Sequence, residues 1–362
     1  MAAVAVSIPS AVADDTGARS ADRGVAYLLD HQGADGGFGE GAITPDAVSA
    51  IAQQAQSSDL WSAKEAIDAI AAAESAEGRT PLDALDALAE GDPTPELAAQ
   101  LVSRAVTPLG LDPENFDPGR DGNPVDLVDR VAAGRSPDGS FGSLAATAEA
   151  VLAFALVDHR VPEATVGFLR AAQQRNGGWN ADGDPDGTVV DPVTTGLVVE
   201  ALVAAGGVTA GDASVTPGLA MLARDQGDSG GWPAARNGED DPSATAWAMG
   251  AIRAGGFDPD QRCWRDAVDP ARATEAYAPP TAALAAAQGD DGSFTGPVGS
   301  IEATALAVQG ILGRWLPTER ASETACGPGG GGGGINPSLV FLAVFALVII
   351  GGAAIILRRG NR

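Results

Sequence analysis

The sequence predicts an all-α fold: an (α/α)6 toroid of six helix pairs, plus one C-terminal transmembrane helix. Three observations carry this. Six helix-start signals recur about every 50 residues. A glycine-rich turn that ends in an aromatic recurs five times. An apolar run near the end of the chain is followed at once by arginines. The 362 residues suffice for one large domain of roughly 300 residues with short tails.

The helix starts are Thr44-Pro45-Asp46, Thr94-Pro95-Glu96, Ser143-Leu144-Ala145, Asp191-Pro192-Val193, Asp241-Pro242-Ser243 and Ser300-Ile301-Glu302. Each opens with Thr, Ser or Asp, whose side chain caps a helix by accepting a free backbone N–H. Proline follows in four, where its missing N–H costs nothing. The acids Asp46, Glu96 and Glu302 suit the positive end of the helix dipole. Each start leads into an Ala-rich helix apolar on most sides, as at 145–157, 193–205, 244–254 and 303–312, which predicts burial.

A second, more amphipathic helix precedes most of these, predicted at 22–31, 81–88, 125–133, 163–174, 215–225 and 275–287. The turns joining the pairs read Gly36-Gly37-Phe38, Gly139-Ser140-Phe141, Gly177-Gly178-Trp179, Gly230-Gly231-Trp232 and Gly292-Ser293-Phe294. Glycine permits the reversal, and the aromatic packs the turn onto the wall. In four repeats a glutamine stands six residues before the aromatic: Gln32, Gln173, Gln226 and Gln288. Arg135 takes that place in the third repeat, and the second lacks the turn. Residues 61–73 read as an extra helix inserted there. A buried inner ring within an amphipathic outer ring predicts closure, with an open solenoid as the alternative.

Residues 339–357 form an apolar run long enough to cross a bilayer, and Arg358, Arg359 and Arg362 mark its cytoplasmic side. The expected topology is single-pass in a cell membrane, with everything before the span outside. Residues 1–13 read as a truncated signal peptide, apolar but without its basic start. The expected domains are therefore a signal peptide at 1–13, a toroid at 20–315, a Gly-rich linker at 316–338, a span at 339–357 and a cytoplasmic tail at 358–362.

Forty-eight Asp+Glu against 22 Lys+Arg give a formal charge of -26. Such a surface repels phosphate backbones, which excludes nucleic acid as a partner. Two cysteines and two histidines are too few for a Cys/His metal cluster. In an oxidising compartment Cys263 and Cys326 are candidates for a disulfide pinning the domain's end to a late loop.

The Gln-x5-[Phe/Trp] turns, followed by [Asp/Ser]-x-x-x-Thr-[Ala/Gly] helix starts, resemble the repeats of the prenyltransferase and squalene-cyclase superfamily. The resemblance spans about residues 20–315 and suggests a surface-anchored bacterial member. It implies an α/α toroid. Cyclases of this type protonate an alkene with the central acid of a D-x-D-D-T-A motif. The matching segment here is Asp241-Pro242-Ser243-Ala244-Thr245-Ala246, where Ser243 and Ala244 replace the two crucial acids. Carbocation chemistry also needs aromatics, and the inner helices offer little beyond Phe154 and Trp247. The zinc triad of protein prenyltransferases cannot be placed either. His31 and His159 read as surface or packing residues.

What the resemblance leaves is binding of a small ligand or a surface partner without catalysis, as in the superfamily's cobalamin carriers. An isoprenoid cyclase or prenyltransferase-like enzyme and a structural surface scaffold are the alternatives. Trp179, Trp232, Glu239, Asp240, Asp241 and Trp247 are the candidate ligand-binding residues, at the rim where inner helices begin. Asp182, Asp184 and Asp186 match the first half of a calcium loop, so calcium is a candidate cofactor.

Overall fold

The computed structural model describes residues 10–58, 60–189, 191–206, 213–234 and 238–313. Among these the chain is helical, with three isolated β-bridges and no strand. Six inner helices follow one another: α2 (Ile43–Gln54), α5 (Pro95–Leu101), α8 (Leu144–Leu156), α10 (Pro192–Gly206), α12 (Pro242–Ala254) and α15 (Ser300–Leu312). Each packs on the next; α2 meets the second through the π turn that continues α5, and α15 packs back on α2. The ring closes, which removes the open-solenoid alternative.

The outer helices are α1 (Ser10–Asp30), α4 (Pro81–Glu90), α7 (Leu127–Ala133), α9 (Glu163–Ala171), α11 (Val215–Asp225) and α14 (Pro280–Ala287). Each lies against two neighbouring inner helices, as α9 does on α8 and α10. The inserted helix predicted at 61–73 is α3 (Ala63–Ala72); α13 (Cys263–Val268) is a further addition the sequence did not signal. The first outer helix begins far earlier than predicted, at Ser10, so residues 10–13 continue into α1.

The recurring turn is held by two side chains. In five repeats a threonine in the first turn of the inner helix accepts the N–H of the turn aromatic: Phe38 to Thr44, Phe141 to Thr147, Trp179 to Thr195, Trp232 to Thr245 and Phe294 to Thr304, at 2.9–3.0 Å. This corrects the register of the first repeat. Thr44 does not cap its helix; α2 begins at Ile43 with Ala42 in the cap position and no side-chain cap. The Thr44 hydroxyl is engaged instead by Phe38 N–H and Gly39 C=O. Ser300 does not cap either, because Gly299 precedes α15 and only the Ser300 carbonyl is used. Thr94, Ser143, Asp191 and Asp241 do cap, accepting N–H bonds at 2.7–3.2 Å.

The glutamine is a clamp between repeats. Gln173 Nε2 donates to Gly177 C=O in its own turn and to Ser214 C=O before the next outer helix, both at 2.7 Å. Gln32 likewise reaches Ala73, and Gln226 reaches Ala278. Gln288 reaches Ser20 in α1 and thereby ties the last repeat to the first. The glycine beside each clamp is obligatory. Gly177 has φ +96°, and a Cβ there would meet Pro217 C=O at 2.3 Å.

Residues 314–362 lie outside the described residues, and with them the predicted linker, span, tail and Cys326. No helix among the described residues is long and apolar enough to cross a membrane.

Candidate central-cavity site

The inner helices surround a cavity. Its lining falls at recurring offsets from the turn threonines: Asp46, Ser49 and Gln53 stand two, five and nine residues after Thr44, and Trp247, Gly250 and Arg253 two, five and eight residues after Thr245. The same offsets place Glu149 on α8, Glu200 on α10 and Gln309 on α15. The usable volume is about 60 Å³, within an envelope of about 670 Å³ that also counts open solvent. The smaller figure corresponds to roughly five waters.

Arg104 organises the charges. It lies in a π-helical turn, Val102–Val106, between α5 and the short α6 (Thr107–Leu109). Pro108 has no N–H to return to Arg104 C=O, and Thr107 N–H goes to Val102 C=O, five residues back. That turn presents Ser103 and Arg104 to the cavity. Arg104 Nη1 lies 3.1 Å from Asp46 Oδ1, and Nη2 bonds Glu149 Oε1. The guanidinium also stands 5.6 Å from the centre of the Trp247 ring.

Burial dominates the protonation of these groups. It raises Asp46 and Glu149 above the usual carboxylate range, and the Arg104 charge opposes the rise. For Arg104, burial acts to weaken the charge, but Asp46 and Glu149 outweigh it and hold the pKa above its ordinary value. Glu200 is raised well above the usual range, by burial first and then by the charge of Glu149. Its Oε2 is buried with no hydrogen-bond partner. Gly250 makes the room, since a Cβ there would meet Glu200 Oε1 at 2.0 Å. Glu302, half-buried, is raised by burial and then by Asp46. Amides complete the wall: Ser49 donates to Gln309 Oε1 at 3.0 Å, and Gln309 Nε2 donates to Asp46 C=O at 3.1 Å.

Of the sequence candidates, Trp247 alone lines this cavity. Trp179 and Trp232 are fully buried behind the inner helices, their indole N–H groups given to Leu169 and Leu222 C=O. Asp241 caps α12 and accepts Ala244 N–H at 2.7 Å. Asp240 takes the Ser229 hydroxyl, and Glu239 is exposed. Asp182, Asp184 and Asp186 are exposed; Asp186 pairs with Arg175 at 3.0 Å, and Asp184 Oδ1 accepts Asp186 N–H. They do not converge as a ligand set; among the described residues the acids that do are Asp86, Glu90 and Asp121. Phe154 faces Phe141 and His159 rather than the cavity.

Sequence reasoning missed Arg104, Glu149 and Glu200, and read Asp46 only as a dipole partner. A signal existed, because an acid within an apolar, buried helix is rarely there without a partner.

The sequence matches no protein-family profile and no curated protein. Solved structures are similar in fold. A protein from Actinoplanes superposes with a TM-score of 0.56 at 19% identity, over 82% of this chain and 99% of that one. The apo type II terpene cyclase MstE from Scytonema gives 0.57 at 15%, over 83% and 98%. An MstE variant in complex with geranylgeranyl dihydroxybenzoate gives 0.58 at 14%, over 84% and 99%. The chain therefore has the α/α fold of the terpenoid cyclases and prenyltransferases.

Proposed function

We propose that the helical ring is a non-catalytic receptor that takes a small, polar, hydrogen-bonding ligand in its central cavity. The observation that carries this is the lining. Among the described residues Trp247 is its one aromatic, and nine of the sixteen lining residues carry a carboxyl, guanidinium, amide or hydroxyl group set into a wall whose surface is otherwise largely apolar. A cyclase steadies carbocations on aromatic faces and needs space for a long hydrocarbon. About 60 Å³ of charged cavity suits a molecule of a few heavy atoms. Alkene protonation also needs a strong acid, and burial makes Glu200 a weak one. The unpartnered Glu200 Oε2 is the natural anchor for a ligand's donor group.

The same reading places the ring outside the cell, tethered by residues 339–357. The apolar run and the arginines after it support this placement.

The test is a thermal-shift series on the full-length protein with small polyols, small amines and free amino acids, alongside geranylgeranyl diphosphate. A ligand that binds only the folded state raises the melting temperature by mass action. The expected result is a shift with one small polar class that Glu200→Gln abolishes. A shift with the isoprenoid and formation of a cyclised product would overturn the proposal, as would a flat response to every polar class.

A further inference from the structure

Away from the cavity, three carboxylates meet at the outer wall of the second repeat. Asp86 and Glu90 lie one turn apart on α4, and Asp121 comes from the loop at 112–126 that follows the second inner helix. One oxygen from each lies within 4.8 Å of the others. Glu90 and Asp121 are exposed, whereas Asp86 is only 6% exposed. Its Oδ1 is buried and has no hydrogen-bond partner.

Water explains the two exposed acids but not that buried oxygen. A buried carboxylate oxygen without a donor is costly unless a cation serves it. The charges acting on Asp86 are all negative, from Asp121, Asp117 and Glu90. The loop is shaped round it. A Cβ on Gly119 would meet Asp86 Oδ2 at 2.4 Å, so the loop backbone lies directly against the carboxylate. Asp117 accepts the N–H groups of Asp121 and Gly122 at 3.0 and 3.1 Å, fixing Asp121 opposite α4.

We infer that Asp86, Glu90 and Asp121 bind one calcium ion, with the burial of Asp86 and its unserved oxygen as the site's inner wall. Oxygen is the donor type that hard cations take, and the Cys/His ligands of softer metals are absent from the group. Oxygens bound to one calcium ion stand no more than roughly 5 Å apart, twice its bond length, and one oxygen from each of these three acids lies within 4.8 Å of the others. Water fills the remaining positions on the exposed side. The ion would fasten the loop at 112–126 to α4, where this repeat has no glutamine clamp.

Three carboxylates on a partly exposed site predict a dissociation constant on the order of 10⁻⁴–10⁻³ M. Calorimetric titration of the full-length protein with calcium chloride in matched salt should show one saturable site. Glu90→Gln with Asp121→Asn should weaken it at least roughly tenfold and melt no lower than the parent without calcium, because both positions are exposed. Asp121→Asn alone, on the loop, is the second variant and should weaken it as well. Asp182→Asn with Asp186→Asn should leave calcium binding unchanged. Absence of a saturable site, undiminished binding in the Glu90/Asp121 variants, or equal uptake of magnesium would overturn the assignment.

Discussion

Five repeats of the ring share one turn; the second does not. In the five, a threonine accepts the aromatic N–H, and in four of these a glutamine joins one repeat to the next. The second repeat has neither. It carries an inserted helix, a π turn and a long acidic loop instead. Arg104, the cation at the centre of the cavity, comes from that π turn, and the Asp86 group comes from that repeat's outer wall. Regular repeats build the scaffold, and the departure from them supplies the chemistry.

The largest effects should come from the scaffold's buried aromatics and the cavity's cation. Trp232→Ala removes a fully buried indole and its bond to Leu222 C=O, and should cost about 3–5 kcal/mol in denaturant unfolding. Arg104→Met leaves Asp46 and Glu149 buried without their cation, and should also cost about 3–5 kcal/mol at neutral pH. A Trp232 loss below 1 kcal/mol would mean the regular turns are not what holds the ring.

Smaller effects separate the clamp from the cap. Gln173→Leu leaves Gly177 and Ser214 carbonyls unserved and should cost about 1–3 kcal/mol, read by the same unfolding curve. Asp241→Ala should cost about 0.5–2 kcal/mol as a lost cap. If it abolished ligand binding without lowering stability, Asp241 would belong to the site rather than to the helix end.

Glu200→Gln should change stability least at low pH and most in its slope. Glu200 is held protonated in the native state above its ordinary pKa of 4.5. Between that value and its raised native one, the unfolded chain releases a proton the native state keeps, so stability falls as pH rises through the window. The glutamine variant should lose that part of the slope in melts run across pH. An unchanged slope would remove Glu200 as a buried acid.

The scaffold was legible because its signals are local. Glycine, aromatic and threonine recur at spacings set by one turn, and capping residues mark helix starts such as Asp241 and Ser143. Even so, the first repeat was set off register, because Thr44 has the look of a cap yet serves Phe38. The role of Gln173 was not legible, since its second partner, Ser214, lies in the next repeat. The cavity was partly legible. Glu149 and Glu200 stand out in apolar helices, but Arg104 lies in the one repeat without a turn motif to set its register. The Asp86 group joins α4 to a loop some thirty residues on, and only the folded loop shows which of its acids turn inward.

The most direct measurement is the unfolding free energy of Arg104→Met against the parent across pH. The account predicts a large loss at neutral and higher pH that shrinks on acidification, as Asp46 and Glu149 take up protons and cease to need a cation. A loss independent of pH, or no loss at all, would contradict a cavity organised by Arg104.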